Sequence, residues 1–258
     1  MSVINDLIQP LTSKLRQRTD MSPFYPYYIA QAILDITQNN EFEDLKVTGP
    51  LVQFQVKVAE YPILGNPFML GGDLFLTHIY TWFVYFDPSG VVTPGVSTGK
   101  QLDKRHIRIV EPMSKILGIP SVYTQHGSYK NGGKLIVGQM PDNPYSTQMR
   151  YQRQHPFSIP YQFVLQANND ASLSSKLGTS FIFLPDDWTE VIVLTAAEKV
   201  CDDVGMSEIG QLYHQKLFGY QDKRGNNVAG LINVKQSEEE RNSLFNSRAL
   251  RPIVRRFT

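Results

Sequence analysis

The chain has 258 residues, of which 41% are hydrophobic and 19% charged, and its net charge is +1. That describes a globular protein long enough to bury a proper core, as one large domain or a domain with a big insertion. Bulk charge gives no argument for nucleic-acid or membrane binding. The single Cys201 excludes an internal disulfide or a multi-cysteine metal site and suits a reducing compartment.

Ser2 to Gln17 places Val3, Leu7, Ile8, Leu11 and Leu15 at helical spacing around Pro10, which predicts one or two short helical turns. This stretch lacks the apolar run and cleavage site of a signal peptide. No run in the chain approaches the ~18 apolar residues of a membrane span. Ser22-Pro23 is a good helix start. Tyr27, Ala30, Ile33, Leu34 and Thr37 then line one face as far as Gln38.

From Leu45 the period changes to two. Val52, Phe54, Val56 and Val58 alternate with polar residues and predict a half-buried strand. Asp73 to Phe86 is aromatic on both faces, which predicts a strand covered on both sides by its own domain or by a neighbouring subunit. Tyr80, Trp82 and Phe83 are therefore the candidate subunit-interface residues. Two Gly/Pro-rich loops follow, at 87–99 and 127–133. Arg105 to Glu111 carries β-branched residues at Ile107, Ile109 and Val110. Lys134 to Gln139 reads as a strand, Met140 to Pro144 as a turn, and Tyr145 to Tyr151 as an alternating strand. Tyr145, Thr147, Met149 and Tyr151 share one face; Ser146, Gln148 and Arg150 share a wet one. Together they predict a β-hairpin. Gln162 to Ala167 and Ser180 to Leu184 read as short strands.

The helical period then returns. Asp187-Trp-Thr-Glu190 predicts a capping box opening a helix from about Trp188 to Val204. Trp188, Ile192, Ala196, Val200 and Val204 form one ridge; Val193, Ala197 and Cys201 form a second. Gly205 stops that helix. Ser207 caps the next, with Ile209, Leu212, Tyr213 and Leu217 inward. Gln221 to Asn227 is polar and loose. Ser237 to Glu240 predicts a second capping box and a short helix through about Phe245. The fold class expected is α+β. A helical bundle from 1–40 and 185–258, with a C-terminal docking tail, holds an inserted antiparallel β domain at 41–184.

Chemistry is hard to find. Pro94 to Gln101 resembles a phosphate loop only loosely, because Pro94 replaces the first glycine and Gln101 the magnesium-binding hydroxyl. His78 reads as a packed core residue. His106, His126, His155 and His214 show no metal spacing. Asp202-Asp203 reads as a solvated helix end, and Cys201 as a buried inert thiol. These readings predict no enzyme, metal or cofactor. The tail from Arg248 differs: Arg248, Arg251, Arg255 and Arg256 interleave with Leu250, Ile253, Val254 and Phe257, and Pro252 prevents a regular helix. It suits an extended peptide that docks on a partner, its arginines pairing with carboxylates. Phosphate contact is the weaker option.

Three motifs appear in a particular order. Gly118, Pro120 and Tyr123 form G-x-P-x-x-Y, ahead of the apolar strand Leu135 to Val137. Pro141, Asp142 and Tyr145 form P-D-x-x-Y before the strand ending at Tyr151. Leu184 to Ala197 forms L-P-D-D-W-x-E-V-I-x-x-x-A-A. With a helix near the start, this order resembles the head-to-tail adaptor (connector, neck) proteins of tailed bacteriophages, loosely over residues 22–218. The resemblance implies a virion structural protein of the neck, assembled in the bacterial host cytoplasm, and no membrane association. It implies a ring, usually of twelve copies, beneath the portal protein. A downstream neck or tail protein would bind the ring, and packaged DNA would pass through its lumen without sequence-specific contact. The tail from Arg248 to Phe257 would dock on the portal. The long loops and the extension past Tyr220 leave the neck position open. Two other readings stay open: another tail or baseplate protein, and a small-molecule-binding module using Tyr80, Trp82 and Phe83.

Overall fold

The structure is a computed structural model that describes residues 2–16, 18, 20–71, 73, 76–86, 99–127, 132–221 and 226–238. The fold is α+β, and the chain divides into two compact units. Residues 1–36 and 156–258 form one, and 37–155 the other. The β insertion thus ends near His155, and residues 156–184 belong with the helices, correcting the boundary at 184. The reason is local. Tyr161–Gln166 is a helix, α4, as is Ala171–Leu177, α5, where Asp170 accepts from the amides of Ser172 and Leu173. Gln162 to Ala167 is therefore no strand. Ser180 to Leu184 contributes only one bridge, Phe181 against Val3.

The helical unit begins with a 3-10 turn, Ile4–Leu7, that runs into α1 (Ile8–Lys14). Pro10 lies in the first turn of α1, where its missing amide costs little. A turn at Ser22–Phe24 leads into α2 (Tyr25–Asn39), whose residues up to Ile36 belong here. The next two helices of this unit are α4 and α5. Then come α6 (Thr189–Asp203) and α7 (Ser207–Phe218). Both predicted ridges of α6 are buried through Cys201, so it is the central helix. It packs on α1 and α7. Tyr28 of α2 donates to Asp203 at 2.7 Å, and Asp35 pairs with Lys199.

Helix α6 ends in a Schellman turn: Met206 N donates to Cys201 O, Gly205 N donates to Asp202 O, and Gly205 has φ +73°. Its start differs from expectation. Neither Pro185 nor Trp188 makes a side-chain cap, and Asp187 instead accepts from Lys235 at 3.3 Å. On α7 the inward residues are Gly210, Tyr213 and Leu217; Leu212 is exposed, contrary to expectation. A ribbon follows, β12 (Gly219–Gln221) against β13 (Asn227–Ala229). Residues 231–238 are helical, so Ser237 is inside a helix rather than its cap. Its hydroxyl donates back to Asn233 and Val234 carbonyls.

The second unit holds the strands. In chain order they are β1 (Lys46–Thr48), β2 (Val52–Gln53), β3 (Glu60–Pro62), β4 (Leu76–Tyr85), β5 (Gly99–Gln101) and β6 (Asp103–Lys104), then β7 (Leu117–Gly118), β8 (Val122–His126), β9 (Lys134–Gly138), β10 (Met140–Pro141) and β11 (Ser146–Arg153). Helix α3 (Ile107–Met113) lies between β6 and β7. One sheet runs β1-β11-β4-β5 with β2 also on β11; the other runs β3-β9-β8-β6; β7 pairs β10 in parallel. Residues 52–62 start in the first sheet and finish in the second, and so do residues 99–104. The sheets therefore join along both flanks and enclose one core.

Two expectations change here, and one stretch that the sequence leaves unassigned is helical. The strand predicted for Val52 to Val58 stops after Gln53, because the chain turns at Val56-Lys57 with Lys57 at φ +61°. Lys134 to Gln139 and Tyr145 to Tyr151 do not form a hairpin. Strand β9 has β3 and β8 on its two edges, while β11 pairs β4, β1 and β2. Gln139, at φ +63°, turns the chain out of β9. Finally, Ile107 to Met113 is helical despite its β-branched residues, and the ring Nδ1 of His106 caps it by accepting from Arg108 N.

Candidate functional site

The aromatic residues of the β unit fall into two sets. Trp82 is fully buried, with Phe68 at 5.1 Å, Tyr123 at 5.3 Å and Phe54 at 5.8 Å between ring centroids. Tyr61 closes the cluster against Phe68 at 4.8 Å. Trp82 Nε1 donates to Thr147 Oγ1 at 2.7 Å, and that hydroxyl donates to Phe83 O. The polar atom of the ring is thus satisfied inside the unit. Burial pushes the Tyr123 hydroxyl up to about 12.

Tyr80 and Phe83 point the other way. Trp82 is opposite Met149, whereas Phe83 is opposite Gln148 on the facing side of the pleat. An irregularity between Arg150 and Tyr151 leaves Tyr80 without a direct partner in the ladder. Its hydroxyl donates to Gln152 Oε1 at 2.9 Å, and Lys46 Nζ sits 4.2 Å from the ring centre. Burial raises the Tyr80 pKa, with Glu41 and Glu43 adding to it. Both Tyr80 and Phe83 keep part of their surface in solvent. The expectation that Tyr80, Trp82 and Phe83 form one surface is therefore corrected. Trp82 is a core residue that no neighbouring subunit reaches, and the three do not line one pocket.

The tail set, Arg248, Leu250, Arg251, Ile253, Arg255, Arg256 and Phe257, lies outside the described residues, as do residues 87–98 and 128–131. Gly99 to Gln101 forms strand β5, where a phosphate loop would open a helix.

Burial lowers the His78 pKa and holds His155 down to about 3, with Arg153 adding to the latter. His214 meets Glu198 at 2.7 Å on the surface. Burial raises the Cys201 pKa, keeping the thiol protonated. Among the described residues no group of three His, Cys, Asp or Glu side chains could hold a metal ion, and no helix is long and apolar enough to cross a membrane.

Two features escape the sequence reading. Gln152 is a buried hub, described below. Edge strands also carry exposed apolar side chains: Ile116, Leu117 and Ile119 around β7, and Phe218, Tyr220 and Val228 around the β12–β13 ribbon. The run Ile116-Leu-Gly-Ile119 was the available signal, three aliphatic residues beside a chain break. No protein-family model matches the chain, and no curated protein matches it in sequence.

Proposed function

We propose that the chain is a structural protein of the neck of a tailed bacteriophage, a head-to-tail adaptor that assembles as a ring between portal and tail and continues the DNA channel. What supports this reading is the order of motifs from Gly118 to Ala197, which resembles that of the family. Those residues serve structural roles, as an adaptor requires. Tyr123 packs on Trp82, while Trp188, Ala196 and Ala197 are buried in the helical unit. The apolar edge strands supply surface that an assembly would cover. On this reading the ring, usually of twelve copies in the family, binds the portal through Arg248 to Phe257 and offers its far side to a further neck or tail protein. DNA slides through without sequence-specific contact, which agrees with a net charge of only +1.

Native mass spectrometry tests this with the purified chain, with and without residues 246–258, alone and mixed with a candidate portal protein. A ring-sized complex that needs the tail to join the portal supports the reading. A monomer at micromolar concentration, indifferent to the portal, overturns it. A ring that ignores the portal but joins a tail or baseplate component moves the protein further down the particle.

A further inference from the structure

We infer that residues 64–71 form a strap that opens as one piece while the rest of the β unit stays folded, and that its opening draws Phe68 out of the Trp82 cluster and uncovers those rings. The strap follows β3 and contains no strand or helix. Its outer side, Leu64, Gly65, Pro67, Leu70 and Gly71, is exposed, while Asn66, Phe68 and Met69 point inward. Phe68 is buried with its ring centre 4.8 Å from that of Tyr61, 5.1 Å from Trp82 and 5.3 Å from Phe54. One ring of the aromatic core is therefore delivered by an irregular surface segment rather than by a strand.

The hydrogen bonds of the strap are almost all its own. Met69 N donates to Asn66 O, Phe68 N to Asn66 Oδ1, and Asn66 Nδ2 to Pro62 O. Among the described residues no main-chain group of 64–71 bonds to a main-chain group outside 62–73. These bonds travel with the strap when it lifts, so opening does not break a ladder. Two things hold it shut: the packed rings, and a polar latch at its C-terminal end. Leu70 N donates to the Tyr151 hydroxyl at 2.9 Å, and that hydroxyl donates to Asp73 at 2.6 Å. Asp73, its carboxylate almost fully buried, also pairs with Arg153 at 2.8 Å and donates its amide to Leu70 O. At the other end Ile63 stays anchored, buried and donating its amide to Gly133 O. Gly65, at φ +65°, and Gly71 have nothing within 4 Å of an added Cβ, so the backbone has room to turn at both ends. Segments with few main-chain bonds to their surroundings are the ones that open below the global unfolding free energy. Strands β4 and β11 are the opposite case, paired along most of their length.

Native-state hydrogen exchange of the full chain, read residue by residue by fragmentation mass spectrometry in low urea, tests this. The amides of Phe68, Met69 and Leu70 should share one rate, about 100-fold or more above those of β4 and β11, and that rate should barely respond to urea. Two variants separate strap opening from unfolding of the whole unit. Thr147→Val removes the bond from Trp82 Nε1, which the open strap would keep. It should speed exchange in β4 and β11 and leave the three strap amides unchanged. Asp73→Asn weakens the latch and should speed all three together, by roughly tenfold. Should that variant fail to fold, Tyr151→Phe removes the latch hydroxyl and is read in the same way. Strap amides that match β4 in the native chain, or that rise in step with β4 in Thr147→Val, show that the strap opens only with the whole unit and overturn the inference. A latch variant that moves Leu70 alone shows local fraying and also overturns it, because Phe68 and Met69 make no bond to the latch and respond only if the strap moves as one piece.

Discussion

Gln152 accepts a hydrogen bond from the Tyr80 hydroxyl at 2.9 Å on the face of β11 that the alternation assigns to water. The same oxygen accepts from the Phe42 amide at 2.7 Å. Its Nε2 donates to the carbonyls of Thr37 and Asn40 at 2.7 and 2.9 Å. Thr37 belongs to the last turn of α2, where carbonyls have no helical partner. One fully buried amide thus ends a helix, fixes the following strand entry and holds the Tyr80 ring.

Replacing Gln152 by Leu should therefore be costly. It leaves a buried amide and two carbonyls without this partner, at about 1–3 kcal/mol for each group that stays dry. Urea unfolding should show a loss of at least about 3 kcal/mol. A loss below about 1 kcal/mol would mean that water replaces the side chain. Gln152→Glu keeps the acceptor and removes the donor, so it should also destabilise the fold, by setting a charged oxygen against the two carbonyls.

Trp82→Phe separates a core role from an interface role. Phenylalanine keeps a ring among Phe54, Phe68 and Tyr123 but drops the Nε1 bond to Thr147. Stability should fall by about 1–3 kcal/mol. The oligomeric state, measured by light scattering under native conditions, should not change. A smaller species for the variant than for the native chain, at unchanged unfolding midpoint, would place Trp82 at a subunit contact.

The longer helices α2, α6 and α7 were the legible part of this chain. In α6, two adjacent ridges of apolar residues point to a central helix, and burial follows both through Cys201 and extends to Val191 and Leu194 beside them. The strands β4, β9 and β11 were legible as elements but not as pairs. Nothing near Lys134 or Tyr145 records that β3 and β8 occupy both edges of β9, because those partners come from distant segments. Single-residue backbone choices were hidden as well. Lys57 ends a strand by adopting positive φ, and the irregularity at Tyr80 turns a side chain to the opposite face from Trp82. Of the candidate site, sequence found the aromatic run but not its division into core and surface. That division depends on register, and an aromatic strand looks the same in either role.

Gly49 should resist substitution for a steric reason. A Cβ there would sit 2.1 Å from the carbonyl oxygen of Phe68, a backbone atom that cannot rotate away. The segment around Phe68 is pinned: Asn66 accepts from Phe68 N, and Tyr151 accepts from Leu70 N while donating to the buried Asp73. Gly49→Ala should lower stability by about 1–3 kcal/mol. Gly71→Ala is the control, since nothing lies within 4 Å of its added Cβ. Equal unfolding midpoints for the two variants would show that the Phe68 segment yields.

His155 should make the β unit sensitive to acid. Its imidazole is buried, and burial, with Arg153 second, holds its pKa down to about 3. In the unfolded chain it titrates near 6.5. Between those values the unfolded state binds a proton that the folded state refuses, so stability rises with pH across this window and is lost on acidification. The slope contributed by one such group approaches 1.4 kcal/mol per pH unit, about one tenfold change in the folding constant. Comparing urea midpoints at pH 7 and pH 5 for the native chain and His155→Gln isolates it, because the other titrating groups are common to both. The native chain should lose more stability than the variant over those two units, with the difference concentrated below pH 6.5. Parallel losses in the two proteins would mean that the ring gains a proton in the folded state too, and that its burial is relieved as the pH falls.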